Sequence, residues 1–246
     1  MGPLPALIGL FVASASAAPL LTLATDAGPV NVVLAYHGTL QLELGGRTLW
    51  VDPWSKAPLK DATKGTVVLI TDIHPDHLDP AALALVKADG ARVVAPKAVS
   101  DSLGEGQVSD VLNNGQSVEL DGLRIEAVPM YNNTRGPKEG KLFHDKGRGN
   151  GYVLTWGGKR LYIAGDTACT IDMKALKNID HALIPMNLPY TMPPDEAAEC
   201  VKAFQPKKVT PYHYAGSDLG VFQAGLKGVA GVEVVLIDAY PGGLPW

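Results

Sequence analysis

The nonapeptide TDIHPDHLD at positions 71–79 sets two histidines and three aspartates directly after the apolar run TVVLI. Imidazole and carboxylate are the side chains that hold hard or borderline divalent cations, and a tight loop leaving a strand lets several of them converge on one ion. Asp72, His74, Asp76 and His77 are so placed. The competing reading is a solvated loop with capping aspartates. A lone His-x-x-His would favour that loop, whereas four ligand-type residues in positions 72–77 favour a metal site. LYIAGDT carries Asp166 and KVTPYHY carries His213, each ending an apolar run. Singly, an Asp after Gly is a common turn residue and a His between tyrosines a common packed side chain. The three stretches together point to one site assembled from strand ends.

Such a site needs elements to present it, and periodicity supplies them. VNVVLAYHGTLQLELGG and RTLWVDPW read as strands meeting at Gly45-Gly46. TVVLITD is apolar throughout, as in a strand covered on both faces. Asp79 as N-cap with Pro80 in the first turn opens a helix predicted to run to Gly90, and RVVAP follows as a strand. QSVELDGLRIEAVPMYN and GYVLTWGGKRLYIAGD alternate and turn as hairpins. Helix MKALKNI, strand ALIPM, helix PDEAAECVKAF, strand KKVTPYHY, helix LGVFQAGLKGV and strand VEVVLID complete the chain. Ala197, Cys200, Val201 and Phe204 share one helix face, so the predicted class is α/β, with two sheets face to face and helices outside.

A chain of 246 residues with 46% hydrophobic content buries one large core. A net charge of −4 offers no basic field for nucleic acid, so the expected partner is a small molecule. ALIGLFVASASAAP joins an apolar run to small residues, with Ala15-Ser16-Ala17 fitting a small-x-small cleavage pattern. The expectation is a signal peptide over 1–18 and a single domain over 19–246, the run being too short for a stable membrane span. The expected destination is the periplasm or the medium. No Lys or Arg precedes Arg47, which favours the alternative, a cytoplasmic chain with a frayed N-terminus. Cys169 and Cys200 are too few for a disulfide framework and read as buried or inert thiols.

Through TDIHPDHLD, AGDT and PYHY, in that order, the chain resembles the metallo-β-lactamase superfamily. HGTLQLELGGRTLWVDP resembles the opening of the branch with metal-dependent lactonases and N-acylphosphatidylethanolamine phospholipase D. The resemblance implies a four-layer αβ/βα sandwich with one or two divalent ions, zinc or manganese or iron, between the sheets. It assigns Asp72 and His74 to a first metal, Asp76 and His77 to a second, Asp166 to a bridge, and His213 to completing the second. The family pattern is His-x-His-x-Asp-His, and here Asp72 stands in its first position. Where a third-motif histidine is expected, AVPMYNN offers Asn132, and His144 in KLFHDKGRGNGY is the other candidate ligand.

Two ions carry four positive charges, which Asp72, Asp76, Asp166 and a hydroxide would neutralise; the extra carboxylate predicts a harder ion than zinc in the first position. The rival is a single-metal site with a degraded first position. His37 and Asp52 read as residues orienting the ligands, or as core polar residues without function. The implied chemistry is hydrolysis of an ester, lactone or phosphodiester by a water whose pKa the metal lowers, with Asp76 or Asp166 orienting that water and protonating the leaving group. Lys146 and Arg148 among glycines, and Asn187 and Tyr190 in MNLPYTMPP, are the candidate substrate contacts. The alternative class is a protein of the same fold that binds metal or ligand without turnover.

Overall fold

The computed structural model describes residues 21–240 and 243–244, so the expected signal peptide lies outside the described residues. The chain builds two seven-stranded sheets in sequence order. The first holds β1 (Leu21–Leu23), β2 (Val30–Tyr36), β3 (Thr39–Leu44), β4 (Arg47–Val51), β5 (Gly65–Leu69), β6 (Lys87–Ala95) and β7 (Asp110–Val111). The second holds β8 (Ser117–Leu120), β9 (Leu123–Met130), β10 (Gly149–Trp156), β11 (Lys159–Ile163), β12 (His181–Pro185), β13 (Lys208–Tyr212) and β14 (Glu233–Val234). Helices α1 (Pro80–Val86) and α2 (Lys97–Leu103) cover the first sheet, and α3 (Ile171–Lys174), α4 (Pro194–Phe204) and α5 (Leu219–Leu226) the second. This is the four-layer αβ/βα sandwich.

Three apolar clusters hold the layers together. Leu34, Leu42, Leu49, Leu69, Ile125, Tyr152 and Ile163 pack between the sheets. Val68, Ile70, Leu83 and Val86 seal the first helical layer, and Tyr162, Ile184, Cys200 and Phe204 the second. The α4 face predicted from Ala197, Cys200, Val201 and Phe204 is buried as a unit. Strands β4, β5 and β6 run parallel, as do β11 to β14, so their carboxyl ends lie on one edge of the sandwich. The antiparallel neighbours place the ends of β2 and β9 and the start of β10 on that edge too. There the sheets are stitched directly, the Asn150 amide donating to Thr71 O at 2.9 Å and the Tyr152 hydroxyl to Ile70 O at 2.7 Å.

Several elements differ from their sequence reading. Asp79 does cap α1, accepting from the Ala81 and Ala82 amides, but the helix stops at Val86 rather than Gly90. Lys87 is extended and pairs with Gly65, so strand pairing overrides helix propensity. α3 is a single turn, α2 was not predicted, and β14 is two residues because only Glu233 and Val234 pair with β13. Cys169 and Cys200 are not free thiols: they form a disulfide joining the loop after β11 to α4. Among the described residues no helix is long and apolar enough to cross a membrane.

Candidate metal centre

Apart from His144, which lies in the loop between β9 and β10, the residues of the candidate centre follow strands on that common edge. His37 and Gly38 form the turn between β2 and β3, Asp52 follows β4, and Thr71 to His77 follow β5. Asp166 follows β11, Asn187 follows β12 and His213 follows β13. His37, Asp52 and His213 have φ of 55°, 43° and 48°. Non-glycine residues rarely adopt this left-handed conformation, and three together at one site mark backbone turned to aim side chains. Gly38 answers a close approach, since a Cβ there would lie 3.1 Å from the His213 ring and 3.6 Å from that of His77.

Three groups of ligating atoms converge: Asp72 with His74 and His144, His77 with Asp166 and His213, and His37 with Asp76 and His213. His74 Nδ1 lies 2.9 Å from Asp72 Oδ2 and 3.1 Å from His144 Nε2. Asp166 Oδ2 is 3.4 Å from both His144 Nε2 and His77 Nε2, and Asp166 Oδ1 is 3.4 Å from His213 Nε2. Asp166 therefore stands between two sets of imidazoles. Asp76 Oδ2 approaches His213 at 3.2 Å, His37 at 3.4 Å and His77 at 3.7 Å.

A further ring of residues fixes which imidazole nitrogen faces inward. Asp52 Oδ2 accepts from His77 Nδ1 at 2.8 Å, while the Thr71 amide and hydroxyl donate to the same carboxylate at 2.7 and 2.6 Å. The outer His77 nitrogen is thereby committed, and Nε2 is left to the centre. Asn132 Nδ2 donates to Tyr190 O, so its Oδ1 accepts, taking the His144 amide at 2.9 Å and His144 Nδ1 at 2.8 Å. Asn132 is thus not aimed at an ion, which corrects its reading as a ligand; it holds His144 in that place. His37 Nδ1 is 2.6 Å from the Tyr240 hydroxyl, and its ring lies 3.6 Å from that of His213. It sits among the ligating atoms rather than behind them.

The charge balance fits cations. Asp52, Asp72 and Asp166 are buried and Asp76 is half-buried, and Arg148 pairs with Asp72. His77 Nε2 and Asp166 Oδ1 are buried with no hydrogen-bond partner, an arrangement costly without a positive charge between them. Burial would depress the His77 imidazole, but Asp76, Asp166 and Asp52 around it raise it well above its ordinary value. Burial holds the His144 and His37 imidazoles down at about 4, neutral and suited to donating a lone pair. Burial pushes the Asp72 carboxyl up, but hydrogen bonds from His74 and Arg148 more than offset it and hold it at about 2.

The centre opens into a cleft of about 400 Å³ lined by Trp54, Lys56, Phe143, Asn187 and Tyr190 besides His37, His74, Asp76, Asp166 and His213. Asn187 Oδ1 is buried without a partner. Lys146 and Arg148 do not line this cleft. Lys146 donates to Asp172 at 2.7 Å and Arg148 to Asp72, so neither is the substrate contact read from the sequence. Sequence reasoning missed Thr71, Trp54, Phe143 and Tyr240. Their types are ordinary core or loop residues, and only the fold brings them here.

Residues 32–213 match the beta-lactamase superfamily domain. A UPF0173 metal-dependent hydrolase of Thermococcus onnurineus is 31% identical over 196 residues, 75% of this chain and 84% of its own. Its counterpart in Aeropyrum pernix is 34% identical over 203 residues, 72% of this chain and 79% of its own. A crystal structure from Parabacteroides distasonis, assigned as a metal-dependent hydrolase, superposes with a TM-score of 0.81 at 37% identity, covering 88% of this chain and 96% of that one. Igni18, a metallo hydrolase of Ignicoccus hospitalis, gives a TM-score of 0.69 at 25% identity over 85% and 95% of the two chains.

Proposed function

The chain belongs to the beta-lactamase superfamily and is a metal-dependent hydrolase of the metallo-β-lactamase fold, and from that premise we propose that it uses two divalent ions to hydrolyse an ester, lactone or phosphodiester-type small molecule. Asp72, His74 and His144 would hold the first ion and Asp76, His77 and His213 the second, with Asp166 within reach of both. The observation that carries this reading is the Asp166 carboxylate, 3.4 Å from an imidazole of each group. His144 would supply the third ligand, and the second imidazole, of the first subsite, which speaks against a degraded, non-catalytic centre.

When bound, such ions lower the pKa of water and polarise the scissile oxygen. The chain's own residues then position and move protons. Asp52 and Asn132 keep His77 and His144 in the tautomer that leaves Nε2 free. Asp76 has a side chain 27% exposed at the cleft, so it can accept the proton of the attacking water and deliver it to the leaving group. The unpartnered Asn187 Oδ1 and the Tyr190 ring would orient the substrate, whose apolar part would pack on Trp54 and Phe143.

Bis(p-nitrophenyl) phosphate, p-nitrophenyl acetate and a γ-lactone, assayed on chelator-treated and metal-restored protein, test this. Turnover of at least one that vanishes with the metal and returns with it is expected; none from metal-loaded protein overturns the substrate class. Export is part of the same reading, supported by the apolar and small-residue run over 1–18 and by the Cys169–Cys200 disulfide, which suits an oxidising compartment. N-terminal sequencing of the secreted or periplasmic chain should begin near residue 18, and an intact Met1 in a cytosolic fraction would contradict it.

A further inference from the structure

Asp72 is fully buried, and both of its carboxylate oxygens are taken by one guanidinium. Arg148 Nε donates to Oδ1 at 3.0 Å and Nη2 to Oδ2 at 2.8 Å. The next residue, Gly149, allows this approach. A Cβ there would fall 2.2 Å from Met130 Cε and 2.9 Å from Thr71 O, so a side chain would push the start of β10, and Arg148 with it, off Asp72. The Arg148 amide also donates to Asp145 O at 3.1 Å, closing the turn that carries the side chain in. The fork is therefore fixed from the backbone outward.

A buried carboxylate in a bidentate grip with arginine is oriented by two charge-assisted hydrogen bonds and carries no net charge as a pair. A neutral imidazole carries none either. The carboxylate still has lone pairs to spare after meeting the guanidinium, and Oδ2 faces His74 Nδ1 at 2.9 Å on the inner side.

We infer that Asp72 and Arg148 act as one neutral ligand unit, in which Arg148 is a positioning residue that cancels the charge of Asp72 and sets its direction toward the first ion. The inference rests on the two-ion reading above. It removes the charge argument for a harder ion in the first subsite, because the extra carboxylate arrives with its own cation. It also makes the two positions interdependent. A histidine placed at 72 would strand a partly buried guanidinium beside a cation, and the family's ordinary ligand would then weaken the site instead of restoring it.

The test is a double-mutant cycle read by zinc retention: Asp72→His, Arg148→Met and the two combined, each titrated with zinc against a chromophoric chelator. Wild type should hold two equivalents. Asp72→His should lose first-subsite affinity by at least about 10-fold and drop to one equivalent under competition, with second-subsite affinity unchanged. Adding Arg148→Met to Asp72→His should recover most of that loss, a selective rescue that mere scaffolding would not give. Arg148→Lys keeps the charge without the fork, so it should retain two equivalents with the first about 3- to 10-fold weaker, and it keeps the inference testable if Asp72→His does not fold. Two tightly held equivalents in Asp72→His, a double variant no better than the single one, or an unaltered Arg148→Lys would overturn the inference. Fewer than two equivalents in wild type would instead overturn the two-ion reading on which it stands.

Discussion

The Asn132 amide oxygen accepts two hydrogen bonds from one residue, His144, at 2.9 Å from its backbone nitrogen and 2.8 Å from Nδ1. An amide thus presents an imidazole from the loop between β9 and β10, where the family pattern would put the imidazole directly after β9. Asn132→Ala removes the acceptor and leaves two buried donors unpaired. First-subsite metal affinity should fall about 10- to 100-fold while the second subsite is unaffected, as measured by chelator competition. Equal loss at both subsites would show instead that the edge of the sandwich had collapsed.

The Cys169–Cys200 disulfide closes a loop of 31 residues that carries β12 and most of α4. Restricting that loop in the unfolded chain corresponds to about 3 to 4 kcal/mol. The double substitution Cys169→Ser with Cys200→Ser should lower unfolding free energy by about that amount in denaturant titrations, and reductant should lower the wild type similarly. Coincident curves for the oxidised, reduced and substituted proteins would contradict this.

Far from the metal centre, burial and then Lys208 hold the His181 imidazole down to about 4 from 6.5. Its Nε2 is 2.8 Å from the Thr210 hydroxyl, and its Nδ1 is buried without a partner. The folded state keeps His181 neutral while the unfolded chain takes up a proton below about 6.5, so between about 6.5 and 4 the unfolded state binds more protons. Stability contributed above pH 6.5 is therefore lost progressively on acidification towards 4. With chelator present throughout, His181→Leu should flatten the slope of unfolding free energy against pH in that window by up to about 1.4 kcal/mol per unit. Parallel slopes would assign the acid sensitivity to other groups.

How far the sequence could be read follows from what each signal depends on. The strand-end placement of Asp72 to His77, Asp166 and His213 was legible because apolar runs, turn residues and ligand types sit next to one another in the chain. The Asp79 cap and the buried face of α4 were legible for the same local reason. The end of α1 was not, because Lys87 is drawn into β6 by pairing with Gly65 across the sheet. Arg148 and Lys146 look alike in sequence, two cations among glycines. Only the fold turns one onto Asp72 and the other out to Asp172. The disulfide was hidden similarly, since α4 approaches the loop after β11 only once the outer helices pack on the second sheet.

The central claim is a two-ion centre in which Asp166 is shared and His144 completes the first subsite. Elemental analysis of metal-loaded, gel-filtered wild type and His144→Ala tests it most directly. Two equivalents per chain in wild type and one in His144→Ala are predicted, whereas one or none in wild type, or two retained without His144, would contradict it.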